Sequence, residues 1–331
     1  MNIGIAGNGK IAAEMLSTVQ NISGINVSAI CVRLQSRAKG QSLADEYGIA
    51  KVYTDYPQML ADGAIDFIYV AVPNHLHYAY TKQALEAGKN VICEKPFTVT
   101  AAETKELIDL AEAKKLFLFE AITILYAPNF LYLKEIFSSP DHRLNIGTLR
   151  YVHANYAQYS SRYGRYLRRD AAPAFDPKAA GGSLYDLNVY NLHFIIGLFG
   201  APKDITYRAN FGFNGIDTSG TALLYYDGFT AVCSAAKDSN GDSGITFQGE
   251  KGVIKMHGAP NECGLLEVEQ KGKFPMLTSH KTPGHRMIDE FTAFAKIYCK
   301  RDYDLCRQNL AHSLKVMQAL EKARLDSGLK F

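Results

Sequence analysis

Two short constellations in this chain could handle protons and charge. The first is Glu94, Lys95 and Pro96, closing the stretch 88–97, GKNVICEKPF. Residues 90–93 are nearly all apolar, which suits a parallel strand covered on both faces. In an open α/β sheet such a strand delivers its carboxyl end to the ligand crevice. A glutamate and a lysine placed there face a ligand, and Pro96 restricts Lys95 to extended backbone, so its amine is held. A surface loop could carry the same three residues, and alone they leave the two readings even.

The second constellation lies in 180–193, AGGSLYDLNVYNLH. On a helix Asp186, Tyr190 and His193 are spaced i, i+4, i+7 and share one face. The intervening positions are mostly apolar, so the helix is buried. Its polar side chains then need partners, or they line a cavity. An internal hydrogen-bonded network is the bland account; Gly181 and Gly182 at the helix start weigh against it, because they let a ligand approach the backbone.

Two alternating halves must position these groups. Residues 2–6, NIGIA, read as a strand, and Gly7-Asn8-Gly9-Lys10-Ile11-Ala12 opens a helix through Val19. This is G-x-G-x-x-A between strand and helix. Gly7 permits the tight turn, Gly9 lets backbone approach a pyrophosphate, and Ala12 allows close packing. The next strand, 27–32, ends on Val32 and Arg33 with Arg37 close behind. An acidic residue there would hold ribose hydroxyls, whereas an arginine pairs with a 2′-phosphate, so NADP is expected, with NAD as the other possibility. The alternative for Arg33 and Arg37 is a solvated loop. Strand 66–72 ends in Val72, Pro73 and Asn74. His75 and His77 follow, either of them placed to meet cofactor or substrate, although for His77 a cap on the following helix is the favoured account. The expected cofactor set is thus Gly7, Asn8, Gly9, Lys10, Ile11, Arg33, Arg37, Val72, Pro73, Asn74, His77, Glu94 and Lys95. With helices at 37–48 and 100–114 and strands at 51–53 and 116–120, the first part is a doubly wound parallel sheet.

From about 148 the texture changes. Strand-like runs at 148–159, 205–213, 219–226, 229–235, 244–248, 253–257 and 264–269 are joined by tight turns, which argues an antiparallel sheet. Helices are expected at 129–137, 182–199, 284–300 and 303–326. Arg162, Tyr163 and the basic-aromatic run to Arg169 could bind polyol hydroxyls or a phosphate over an active site, or be a plain solvated loop. Nucleic acid is not expected, since the net charge is only +3.

With 331 residues, 47% hydrophobic and 21% charged, the composition is that of an ordinary globular chain, and the length suggests about two domains. No apolar run reaches the roughly 18–20 residues of a membrane span. The chain begins directly in a strand, so no secretory leader is expected. Six scattered cysteines without C-x-x-C point to reduced thiols in a cytoplasmic protein and give no common metal pattern.

These residues resemble the Gfo/Idh/MocA oxidoreductases over nearly the whole chain. The resemblance rests on GIAGNGKIAAEML, VAVPNHLHYAYTKQALEAGKNVICEKP and AGGSLYDLNVY. It implies that Lys95 is the catalytic lysine and Asp186 the aspartate of the later motif. Tyr190 stands where many members have histidine, as in the branch of glucose–fructose oxidoreductase and dimeric dihydrodiol dehydrogenase, where the tyrosine is the acid/base. Ala180 and Asn188 replace glycines of the family motif, and an arginine often found after Glu120-Ala121 is missing. The implied fold is an N-terminal Rossmann domain, 1–120, and a C-terminal α+β domain, 121–331, with an open, mostly antiparallel sheet. The free face of that sheet would make a homodimer or homotetramer.

The implied activity is hydride transfer between a nicotinamide and a sugar, polyol or cyclic diol. A non-catalytic dinucleotide sensor on the same scaffold is the alternative, and a sensor has no use for a proton relay. Lys95 and Tyr190 belong to different domains and would meet across the cleft. A free tyrosine, with a pKa of about 10, is a poor base, and a nearby lysine ammonium favours the phenolate. Tyr190 is therefore the expected proton donor and acceptor and Lys95 the cation that tunes it; the reverse assignment has Lys95 as acid/base and Tyr190 as a positioning group. Asp186 would orient the lysine or a substrate hydroxyl. His193, Arg162 and Tyr163 are the further substrate candidates.

Overall fold

The computed structural model describes residues 1–20 and 22–331. The chain divides into two units: Met1–Ile122 with Met287–Leu314, and Thr123–Arg286 with Lys315–Phe331.

In the first unit six strands, β1 (Asn2–Ala6), β2 (Asn26–Cys31), β3 (Lys51–Tyr53), β4 (Phe67–Val70), β5 (Asn90–Glu94) and β6 (Leu118–Ala121), form one sheet in the order β3-β2-β1-β4-β5-β6. Every neighbouring pair is parallel. Both faces are covered, which is why these runs do not alternate: Ile3, Ile5, Phe67, Ile68, Val91 and Ile92 are all fully buried. The strand order reverses between β1 and β4, the place where an open parallel sheet leaves a crevice at its carboxyl ends. Local signals fix the helices around it. Thr100 caps the Ala101–Ala113 helix by accepting the Glu103 N–H at 3.2 Å, while the Glu103 carboxylate accepts the Thr100 N–H at 3.0 Å. Arg37–Tyr47 stops on Gly48, whose φ of +68° suits glycine.

The first unit's leading segment ends at Ile122, and that unit also takes in a later stretch. Residues 287–314 return to it. The helix Met287–Lys300 carries Phe291, Phe294 and Tyr298 at i, i+3 and i+7. Phe291 meets Tyr69 edge-on at 5.8 Å, Phe294 stacks on Phe119 at 4.6 Å, and Tyr298 meets Phe67 edge-on at 4.9 Å. Each such aromatic pair adds about 0.5–1.5 kcal/mol beyond its buried area. The sheet face bearing Phe67, Tyr69 and Phe119 is covered by this late helix.

The second unit holds an eight-stranded sheet: β7 (Leu149–Ala157), β8 (Asp204–Phe211), β9 (Asp217–Tyr225), β10 (Thr230–Ala236), β11 (Gly244–Gly249), β12 (Gly252–His257), β13 (Leu266–Gln270) and β14 (Met276–Thr278). The order is β14-β13-β12-β11-β7-β10-β9-β8. All pairs are antiparallel except β7 with β10, so the expected open, mostly antiparallel sheet is present. The short edge strand β14 has no counterpart among the expected strands. Side chains alternate: Ala231, Cys233 and Ala235 of β10 and Ile245 and Phe247 of β11 point into the core. The helices Pro128–Ser138 and Val189–Phe199 cover that side, with Phe130 edge-on to Phe194 at 5.1 Å and Phe137 against Phe247 at 5.0 Å. On the other side Val232, His153 and Thr246 lie across three strands from one another. Among the described residues no helix is long and apolar enough to cross a membrane, and no group of three His, Cys, Asp or Glu could hold a metal.

Candidate active site

The phosphate turn of the first unit follows from two glycines with different tasks. Gly7 has φ +118°, and a Cβ there would lie 2.4 Å from the Ala71 carbonyl oxygen. Its N–H is bonded to the Cys31 carbonyl at 2.9 Å, which fastens the turn to the end of β2. Gly9 is the opposite case: a Cβ there would meet nothing within 4 Å. Lys10–Val19 starts directly behind it. The side-chain amide nitrogen of Asn8 is buried without a hydrogen-bond partner. An open backbone at a helix start and a donor still to be satisfied fit a dinucleotide pyrophosphate. Lys10 extends into solvent and pairs with Glu14 at 3.6 Å, and Ile11 is half-buried. Arg33 and Arg37 are exposed on the turn after β2, and neither makes an ion pair among the described residues. Val72, Pro73 and Asn74 form the turn after β4, with Asn74 starting a short helical turn.

The turn after β5 is braced from inside. Glu94 is buried; one carboxylate oxygen accepts the Tyr69 hydroxyl at 2.5 Å and the other accepts the Lys95 N–H at 3.2 Å. Lys95 itself is half-buried, and its peptide bond to Pro96 is cis. His77 does not cap its helix. Its ring is turned inward, Nδ1 lying 2.8 Å from the Pro96 carbonyl and Nε2 2.9 Å from the Val72 carbonyl. Burial pushes its pKa below the ordinary histidine value, while the two carbonyls and the Glu120 charge oppose that. The ring lies between the turn after β4 and the turn after β5 with a nitrogen facing each carbonyl, and in the neutral form its one N–H donates to one of the two.

In the second unit the helix expected over 182–199 does not start as an α-helix. Leu184–Asn188 is a π-helical turn, in which the Val189 N–H reaches back to the Leu184 carbonyl, and the α-helix proper is Val189–Phe199. Asn188, standing where the family motif has glycine, donates to the Cys233 carbonyl of β10 at 2.9 Å, and Asn191 donates to the Ser234 carbonyl at 2.9 Å. These bonds lock the turn onto the sheet. Tyr190 packs its ring 5.9 Å from that of Tyr156. His193, a substrate candidate, is fully buried. Arg162 is exposed, whereas Tyr163 joins a row of rings: it lies 5.7 Å from Phe175, and Tyr166 stacks on Phe175 at 4.9 Å.

Asp186 has a partner that the reading of 180–193 misses. Lys237, directly after β10, places its ammonium 2.8 Å from the Asp186 carboxylate. It also donates to the Ala174 carbonyl at 2.5 Å and lies 4.5 Å over the Phe175 ring. The signal was present in the sequence. Ala231, Cys233 and Ala235 alternate inward, and the same parity carries residue 237 to the core side.

A second carboxyl lies under the glycine pair. Asp217 is fully buried, and one of its oxygens accepts the Leu184 N–H at 2.6 Å and the Tyr207 hydroxyl at 2.8 Å. Gly182 has φ +95°, and a Cβ on it would sit 1.9 Å from the other Asp217 oxygen. So Gly182 is required by the carboxyl beneath it, whatever else it admits. Burial raises the Asp217 pKa to about 7, against the opposing pull of the Tyr207 hydroxyl, the Leu184 N–H and the Lys237 charge.

Known proteins place this architecture. The model of the oxidoreductase family with an NAD-binding Rossmann fold, Gfo/Idh/MocA, matches residues 1–121, and that of the Gfo/Idh/MocA C-terminal domain matches residues 143–255. The chain is 35% identical to a scyllo-inositol 2-dehydrogenase (NADP(+)) of Bacillus subtilis (strain 168), over 99% of this chain and 97% of that protein. It is 29% identical to a trans-1,2-dihydrobenzene-1,2-diol dehydrogenase of Mus musculus, over 99% and 97% of the two chains. A solved 3-ketoreductase from Actinomadura kijaniata, in complex with NADP and TDP-benzene, superposes with a TM-score of 0.85 at 21% identity, over 99% of this chain and 98% of that one. With two family models matching in series and a relative this similar over its whole length, the chain belongs to the Gfo/Idh/MocA family of oxidoreductases.

Proposed function

We propose that this protein moves a hydride between NADP and a hydroxyl-bearing carbon of a sugar, polyol or cyclic diol. The observation that carries the reading is the placement of Lys95 directly after β5, in the same parallel sheet whose β1 runs into the Gly7 turn, with β4 between them. Bound NADP supplies or accepts the hydride. The chain's own residues must then add or remove a proton at the substrate oxygen. Tyr190 is the group that exchanges it, and the Lys95 ammonium polarises the oxygen and stabilises the phenolate. Asp186 accepts a hydrogen bond from a further substrate hydroxyl. The relatives' names agree in chemistry: NADP(+) dehydrogenases of scyllo-inositol and of D-xylose, and a dihydrodiol dehydrogenase. A panel of aldoses, inositols and diols, read by NADPH fluorescence in both directions, should yield at least one substrate. Cofactor binding without turnover in either direction would instead favour the sensor.

NADP is held in preference to NAD by Arg33, with Arg37 beside it, on a turn that carries no carboxylate at its start. A charge-assisted contact to the 2′-phosphate contributes about 1.5–3 kcal/mol, hence at least a roughly tenfold preference. Titration of both cofactors into the parent and into Arg33→Ala checks this: the preference is expected in the first and reduced in the second. Equal affinities in the parent would refute it.

The outward face of the second sheet, with Tyr151, His153 and Val232 on central strands, is the surface through which the chain forms a homodimer or homotetramer, since an uncovered sheet face of this size calls for a partner. Light scattering at micromolar concentration is expected to give a multiple of the 36.6 kDa chain mass; a monodisperse monomer would remove the proposal. The cytoplasm is the compartment in which its six free cysteines would stay reduced.

A further inference from the structure

Asp186 and Lys237 form a pair with one dry end and one wet end. The Lys237 side chain is 2% exposed and the Asp186 side chain 34%. An ammonium is kept out of water only where its donors are used and its charge is matched. Here one donor meets Asp186, another meets the Ala174 carbonyl, and the Phe175 ring lies below. The Ala174 carbonyl also accepts the Gly182 N–H at 3.1 Å, so the lysine is anchored to the backbone that opens the π-helical turn. Asp217, the other carboxyl that senses Lys237, has one oxygen occupied by Tyr207 and Leu184. Its route to the lysine charge is through space, whereas Asp186 is in contact.

We propose that Lys237 is a positioning residue for the reaction: it grips the Asp186 carboxylate from the core side, so that the carboxylate presents its exposed edge to a neutral hydroxyl of the substrate. A carboxylate on a winding turn would otherwise rotate between water and backbone donors. Gripped from behind, it accepts from a hydroxyl at one fixed place, which selects substrates bearing a second hydroxyl near the reacting carbon. The inference rests on the reading of Asp186 as a substrate-binding group.

A double-mutant cycle tests it, with kcat, KM and NADP affinity measured for the parent, D186N, K237M and D186N/K237M. The expected result is a KM raised roughly ten- to a hundredfold in each single variant, as for loss of a hydrogen bond to a charged group. Smaller changes in kcat, unchanged NADP affinity, and a double variant no worse than D186N complete the expectation. A K237M enzyme with the parental KM, or a loss in the double variant that multiplies those of the singles, overturns the role of Lys237 while D186N keeps its effect. A D186N enzyme with the parental KM overturns the substrate role of Asp186, and the inference with it. If one single variant fails to fold because it strands the other charge of the pair, D186N/K237M, which removes both charges, is compared with the single variant that folds: equal KM values support the proposal and a further rise overturns it.

Discussion

Tyr190→Phe is expected to lower kcat by roughly a hundredfold or more, the usual size of a general acid–base contribution. NADP affinity should stay as it is, because the change leaves the phosphate turn at Gly7 and Gly9 and the arginine Arg33 intact. The variant is a clean one. It removes a hydroxyl and leaves the ring, which packs against Tyr156. Steady-state kinetics separate the two assignments of the proton. If KM rises and kcat does not change, Tyr190 only positions the substrate and the proton belongs to Lys95.

Asp217→Asn is expected to flatten the dependence of stability on pH. In the folded chain burial raises the Asp217 pKa to about 7, while in the unfolded chain an aspartate titrates near its ordinary value of about 4. Between about pH 4 and pH 7 the folded state therefore binds more protons than the unfolded one, and stability falls as pH rises through that window. Above it both states are ionised and the whole penalty is present. Three pKa units at about 1.4 kcal/mol each give roughly 4 kcal/mol as the upper size of the effect. Asparagine cannot ionise and can still accept from the Leu184 N–H and the Tyr207 hydroxyl. Urea unfolding of both proteins from pH 4.5 to 8 is the measurement: the variant gains on the parent as pH rises. Parallel curves would show that Asp217 keeps its charge in the fold.

The first sheet was legible because a buried parallel strand needs a continuous apolar run, and the runs of β1 and β4 give way to residues that suit a turn, Gly7 and Pro73. The turn after β5 was legible for the same reason. What escaped was long-range. Phe291, Phe294 and Tyr298 show an amphipathic helix, but nothing in their spacing says that its apolar stripe belongs against Phe119 and Phe67 rather than against the nearer sheet. The sequence neighbours of His77 are a helix start and suggest a local cap; its real partners, the Val72 and Pro96 carbonyls, are brought together only by the pairing of β4 with β5. Asp186 stands out in the sequence, but a helical period of 3.6 does not describe the π-helical turn that carries it. Its cation comes from another element, Lys237, which strand parity points inward. Asp217 gave no sign at all, because an aspartate opening a strand after Asn214 and Gly215 looks like part of a turn.

The late return of residues 287–314 sets an order of events during synthesis. Met287 follows Ile122 by 165 residues, which at about 5–20 residues per second is a delay on the order of ten seconds. Throughout that interval the strands carrying Phe67, Tyr69 and Phe119 have left the ribosome without the helix that covers them. The second unit's sheet, contiguous from Leu149 to Thr278, can pair its strands in the meantime. The nucleotide-binding half is thus the first to emerge but is not completed until residues 287–314 follow, and until then its aromatic face is open to chaperones.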